Sequence, residues 1–429
     1  MTDRAMKMTD GTVKKTDETS KIIDGGFMEV SKGQRLYIGL FGNTNSGKSS
    51  LMNMLVGQDF SIVSELSGTT TDSVQKNMEL PGAGPCVFID TAGFNDDSEL
   101  GKKRIVKTWE ALAKCDIILG VVSTGEMREA GAIEKIIESP AFEKLLQSKK
   151  PLIWVITKAE EDSDFAWDLQ TSLEEIELFK KNPPVFVDSL TGKNKAQLFE
   201  VIKQKVPADF FDSSLTENYC KLGENVLLVM PQDSQAPKGR LILPQVQTIR
   251  DLLDRRVCIH CCTQDTFAQT IASLKNPPDL IITDSQLFPF VNTNKPAGSR
   301  LTSFSIIMAA HKGDIELFTK GAQAINTLTN NSRVLIAEAC THVPATEDIG
   351  TVKIPNMLRK RAPDLKIDFV RGTDFPQTRE DFQKYDLIIH CGACMFNKAY
   401  VLERQHNAQD YGVPMTNYGL AIAELNGIH

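Results

Sequence analysis

The sequence predicts an α/β protein of three domains, the first built on a doubly wound, mostly parallel sheet and the next two smaller α/β units. Length is the first reason, since 429 residues exceed what one ordinary core organises. The second is alternation: short β-branched runs recur between helical patterns along most of the chain. The third is a likeness between "PPDLIITDSQ" and "KYDLIIHCGA", which suggests that the second and third domains are related units.

In chain order, residues 1–33 are polar, mixed in charge and without an apolar centre, and read as a flexible tail. Residues 34–207 carry "RLYIGLFG", "CVFIDTAG", "DIILGVVS", "PLIWVIT" and "PVFVDS", the strands of the first sheet. Residues 208–328 carry "NVLLVM", "RVCIHCC" and "DLIITD", then apolar helical stretches from Thr302 to about Leu328. Residues 329–429 carry "RVLIAEA", "KIDFV" and "YDLIIHCG", then a helical tail.

Composition narrows the function classes. A formal charge of -7 and the lack of a long Lys/Arg run leave no nucleic-acid footprint. No apolar stretch approaches bilayer-spanning length, so no membrane partner is expected. The tail lacks the hydrophobic segment of a secretion signal, and its acidic residues argue against an organelle transit peptide, so a cytoplasmic protein is expected. Nine cysteines in that setting point to free or metal-bound thiols rather than a disulfide framework.

"GNTNSGKS", Gly42 to Ser49, follows the apolar strand "LYIGLF" and fits the phosphate-binding pattern G-x-x-x-x-G-K-S. Backbone N–H groups from Gly42, Asn43, Thr44, Asn45, Ser46, Gly47, Lys48, Ser49 and Ser50 would cradle phosphates at a helix N-terminus. Lys48 would neutralise β/γ oxygens and Ser49 would ligate magnesium. "GTTTD" offers Thr70 as the switch threonine for that magnesium, and "FIDTAG" offers Asp90 for the metal shell and Gly93 for a γ-phosphate contact. Nucleotide hydrolysis follows.

"GNTNSGKSSL", "GTTTD" and "DTAG" together resemble the small GTPases of the TrmE/Era class. That resemblance implies GTP as the nucleotide. It also implies that Asn45 helps hold a potassium ion doing the work of an arginine finger. Phe94 falls where Ras-like enzymes keep their catalytic glutamine, which leaves Glu99 or Asp97 to position water. The base-reading motif departs from N-K-x-D and reads "TKAE", Thr157 to Glu160. Lys158 can still stack on the base and Glu160 can still accept from guanine, while Thr157 for Asn is expected to lose a steadying contact. Ser189 in "VDSLTG" takes the last base-contacting position.

A second constellation lies at two strand ends, Cys340-x-His342 after "RVLIAEA" and His390-Cys391-x-x-Cys394 after "YDLII". In a parallel sheet such ends share one edge, so the two clusters are expected to converge. Three thiolates with one N or O ligand can hold zinc or an iron–sulfur cluster, and a Cys-x-x-Cys redox pair is a further reading. Cys258, His260 and Cys262 in "VCIHCC" share one face of a strand and could form a second metal site, but a buried parallel strand tolerates cysteines well, and that is the expectation.

With "DSQAPKGRLILPQVQTIRDLLD", "LTSFSI" and "EACTHVPATEDIG", the chain from 34 to about 425 resembles the scaffold GTPases of FeFe-hydrogenase maturation, the HydF family. The resemblance implies a GTPase domain, a dimerisation domain giving a homodimer, and a domain binding one 4Fe–4S cluster. Cys340, Cys391 and Cys394 match its cysteine ligands. Glu347, seven residues after Cys340, His342, His390 or an exchangeable group would be the fourth. The implied partners are apo FeFe-hydrogenase and the radical-SAM maturation enzymes, and the implied cargo is the diiron precursor of the hydrogenase active site. The rival reading is a tRNA-modification or ribosome-assembly GTPase with a structural zinc domain.

Overall fold

The computed structural model describes residues 32–57, 73–81, 83–95, 99–129, 131–159, 163–207, 210, 214–231, 241–339 and 348–428. The first sheet contains β1 (Leu36–Phe41), β2 (Val74–Leu80), β3 (Gly84–Asp90), β4 (Ile117–Ser123), β5 (Leu152–Thr157) and β6 (Val185–Val187). Their order is β2-β3-β1-β4-β5-β6, and only β2 runs antiparallel. All seven residues of β4 are buried, as a central strand covered on both faces requires. Leu51 and Leu55 of helix α1 (Lys48–Val56), with Leu198 and Ile202, cover one face. Ala111 and Leu112 of helix α2 (Glu99–Lys114), with Phe142 and Leu169, cover the other. Each large apolar side chain buried in this way contributes about 1.5–3 kcal/mol.

The second sheet contains β7 (Asn225–Val229), β8 (Cys258–Cys262), β9 (Leu280–Thr283) and β10 (Arg300–Ser303), ordered β10-β9-β7-β8. The third contains β11 (Arg333–Glu338), β12 (Lys366–Arg371), β13 (Leu387–His390) and β14 (Met415–Asn417), ordered β12-β11-β13-β14. Both sheets are wholly parallel, and their windings are the same. The two "DLII" segments fall on the equivalent strands β9 and β13. Asp279, preceding β9, accepts from the Asn225 amide at 2.8 Å, and Asp386, preceding β13, accepts from the Arg333 amide at 2.7 Å. The likeness in sequence is therefore a likeness in fold and in hydrogen bonding.

Three expectations are corrected here. Thr302 and Ser303, where the stretch read as helical begins, are instead the last two residues of β10; helix α3 (Phe304–Lys312) begins only where Ser303 caps it by accepting from Ile306 N. Likewise β14 interrupts the helical tail. The buried-strand reading of "VCIHCC" also fails, because β8 is an edge strand on which Cys258 and Cys261 are exposed and only Cys262 is buried.

Candidate functional site

The phosphate loop runs from β1 to α1, at the carboxyl ends of the strands where the winding reverses, β1 lying between β3 and β4. Lys48 is buried, and its ammonium donates to the carbonyls of Gly42 at 3.1 Å and Asn43 at 2.7 Å. Burial lowers its pKa, and the nearby Asp90 and Glu126 carboxylates oppose that shift. A buried ammonium whose hydrogen-bond partners among the described residues are neutral carbonyls is primed for a stronger anion.

Ser49 Oγ donates to Asp90 Oδ2 at 2.5 Å, so the two residues expected in the magnesium shell already touch. The other carboxylate oxygen, Asp90 Oδ1, is buried without a hydrogen-bond partner among the described residues. Burial pushes the Asp90 carboxyl pKa up, against the pull of Ser49 and Lys48. A divalent cation would satisfy the orphan oxygen and reverse that shift, so these residues fit magnesium. Thr70 lies outside the described residues. Gly93 packs so closely on the loop that a side chain there would strike Thr44. Asn45 is exposed with a left-handed backbone, φ 64°. Ser50, one residue into the helix after Ser49, is exposed as well.

Phe94 is packed away from any water-positioning role. Its ring stacks on Trp109 at 5.5 Å and meets Phe142 edge-on at 5.4 Å. Asp97 and the side chain of Glu99 lie outside the described residues.

Supporting groups that the sequence reading missed hold the loop. Asn43 Nδ2 donates to Glu126, whose carboxylate also caps Ser123, and Asn95 accepts from the Thr44 amide at 2.7 Å. On the base side, Thr157 Oγ1 donates to the Ser46 carbonyl at 2.6 Å. The expected loss of a steadying contact is thus offset, because threonine still ties the base-reading strand to the phosphate loop. Lys158 has φ 61° and its carbonyl accepts from Thr124 Oγ1 at 3.0 Å. Ser189 Oγ is buried and has no hydrogen-bond partner among the described residues, outside which Glu160 lies.

The cysteine site is organised by β11 and β13, paired in parallel with Ala337 opposite His390. These strands depart from their common edge in opposite directions along the sheet, a second winding reversal. Beyond the register, Cys391 N donates to Ala337 O at 2.9 Å, and Cys391 Sγ accepts from Ala339 N at 3.0 Å and Ala393 N at 3.4 Å. Two amides on one sulfur favour a thiolate, yet burial dominates and raises that thiol to about 11. Metal ligation would deprotonate it outright. Cys394 is half-buried on the same loop, which Ala393 turns with φ 51°. Cys340, His342 and Glu347 lie outside the described residues; among those described, no group of three metal ligands is assembled.

His390 is buried and both its nitrogens are engaged. Nδ1 donates to Cys391 O at 2.9 Å and Nε2 accepts from Arg404 at 2.9 Å. Burial, then the Arg404 charge, holds its pKa down at about 3, so the ring is neutral at physiological pH. In this arrangement it orients the cysteine loop, and its lone pair is not free for a metal. Lys312, at the end of α3, donates to the carbonyls of Ala393, Cys394 and Phe396 at 2.9, 3.3 and 2.6 Å. Gly33 approaches the same group so nearly that a Cβ would lie 2.7 Å from the Lys312 ammonium.

Comparison with known proteins matches three successive segments of the chain, the last of them beginning at residue 316 rather than at 329. Residues 37–158 match the model of a 50S ribosome-binding GTPase. Among curated proteins, the tRNA modification GTPase MnmE of Helicobacter pylori strain J99 is 33% identical over 192 residues, covering 44% of this chain and 37% of that protein. GTPase Der of Kosmotoga olearia is 34% identical over 134 residues, covering 29% of this chain and 30% of that protein. The chain thus spans well under half the length of these relatives. Among solved structures, the G domain of the T. maritima FeoB iron transporter aligns with TM-score 0.29 and 22% identity, over 40% of this chain and 99% of that one. Residues 215–313 match the hydrogen maturase F dimerization domain and residues 316–429 its tetramerization domain. With both maturase domains in order behind a GTPase domain, the chain belongs to the hydrogen maturase F family.

Proposed function

We propose that this protein is a GTP-hydrolysing scaffold that binds a 4Fe–4S cluster through Cys340, Cys391 and Cys394 and carries the diiron precursor of the hydrogenase active site to apo FeFe-hydrogenase. The observation that carries the reading is the Ala339–Cys391 contact. The residue immediately before Cys340 donates its amide to the Cys391 sulfur at 3.0 Å, across neighbouring strand ends. The donor set is soft, which suits iron–sulfur ligation. When bound, such a cluster offers an iron whose fourth ligand can be exchanged for cargo. Glu347, a hard carboxylate, or His342 would be that ligand; His390, committed to Arg404, would hold the loop.

In the GTPase domain, Lys48 and the loop amides would bind the β and γ phosphates, and Ser49, Asp90 and Thr70 would hold magnesium. Asn45 would help retain potassium near the β/γ bridge, where it offsets developing charge. Lys158, Glu160 and Ser189 would read guanine. Hydrolysis would time exchange between the radical-SAM maturation enzymes and the hydrogenase rather than drive cluster chemistry. The second domain would form the homodimer. Anaerobic purification followed by iron quantification and EPR tests the reading: a cluster signal is expected, and colourless, iron-free, folded protein would refute it.

A further inference from the structure

We propose that Lys312 and Arg404 are built-in counter-charges of the cysteine-bound cluster, holding its net negative charge in a buried site and raising its reduction potential. The proposal rests on the cluster reading above. Each of these side chains is 3% exposed. Neither is paired with a carboxylate among the described residues: Lys312 binds only three backbone carbonyls of the 393–396 loop. Arg404 binds His390 Nε2, Gly372 O at 2.7 Å and the Tyr400 hydroxyl at 3.1 Å, and its Nε has no hydrogen-bond partner among the described residues. Three aromatic faces, Phe375, Phe396 and Tyr400, enclose its guanidinium at 4.4–4.6 Å.

Burying a cation that no carboxylate among the described residues pairs costs several kcal/mol, and two such cations lie beside this one loop. Both flank the same short loop, Lys312 through the Cys394 carbonyl and Arg404 through the residue before Cys391. A core held by three thiolates is a net anion and becomes more anionic on one-electron reduction. Fixed positive charge in a low-dielectric site therefore stabilises the reduced form more than the oxidised form. Hydrogen bonding alone would give a loop staple and a histidine anchor; it would not move the potential in step with charge.

The experiment uses anaerobically reconstituted full-length protein and an EPR-monitored dithionite titration. Lys312→Gln keeps N–H donors for the loop carbonyls and removes the charge, whereas Lys312→Arg keeps the charge. We expect Lys312→Gln to retain iron and to fall in potential by about tenfold in the reduction equilibrium, about 59 mV for one electron. Lys312→Arg should stay near wild type. An unshifted potential in Lys312→Gln overturns the proposal; if that variant does not fold, Arg404→Gln is read by the same criterion. Full iron retention in Cys391→Ala would instead refute the cluster reading beneath it.

Discussion

Asn397 Nδ2 donates to the Asp116 carboxylate, 3.2 Å from Oδ2 and 3.3 Å from Oδ1, and to the Lys114 carbonyl at 2.8 Å. The residue that closes the cysteine loop is therefore bonded to the turn between α2 and β4 of the GTPase domain. α2 is also where Trp109 receives Phe94, next to Gly93 of the phosphate site. One packed helix joins the nucleotide site to the cysteine loop.

Asn397→Ala leaves the buried Asp116 carboxylate with the Tyr37 amide and fewer other donors. A destabilisation of about 1–3 kcal/mol is expected, read as a lower urea midpoint with an unchanged slope. An unchanged midpoint would mean that this contact does not hold the two units together.

The same carboxyl predicts a pH dependence. Burial raises Asp116 from 3.8 to about 6, against the Tyr37 and Asn397 hydrogen bonds. A raised carboxyl value means that the protonated form is favoured in the fold. Its stabilisation is complete below 3.8 and is lost as pH rises through about 6, up to roughly 3 kcal/mol. Asp116→Asn should flatten stability between pH 4 and 6, measured by urea unfolding across that range; an equally steep profile in the variant would assign the dependence elsewhere.

These residues mark where sequence reading reaches its limit. The strands of all three sheets were legible wherever they were apolar runs buried on both faces, as in β4 and β11. β2, "VQKNMEL", was not, because an edge strand with polar side chains carries no continuous run. β10 and β14, four and three residues long, carry too little pattern to separate from the helices that follow them. Cys391 and Cys394 stood out by spacing and by their place after a strand. Lys312 and Arg404 did not, since a lone cation on a helix reads as a solvated side chain until tertiary packing buries it.

Thr157→Val deletes the donor to Ser46 O and leaves that carbonyl unpaired in the loop. A loss of about 1.4 kcal/mol in nucleotide binding is expected, a roughly tenfold rise in the Kd of GDP by titration calorimetry. Wild-type affinity would show that the hydroxyl does not position the loop.

Asn45 leads to a salt dependence. Hydrolysis should be slow in sodium and faster in potassium, and Asn45→Ala should bring the two rates together. Phosphate-release assays in both salts decide it, and equal wild-type rates would remove the potassium role.

Lys48→Ala should abolish hydrolysis while leaving iron content unchanged, because the phosphate loop and the cysteine loop lie on different sheets. Folded, iron-free Lys48→Ala protein would contradict separable sites.

The central claim is that the ends of β11 and β13 share one cluster, and the most direct measurement is the iron content and EPR spectrum of anaerobically purified Cys340→Ala beside wild type. Cys340 follows the residue whose amide reaches the Cys391 sulfur, so the account predicts loss of most of the iron and of the wild-type signal. Full iron and an unchanged spectrum in Cys340→Ala would mean that the two strand ends do not share a cluster, and that Cys391 and Cys394 act without Cys340.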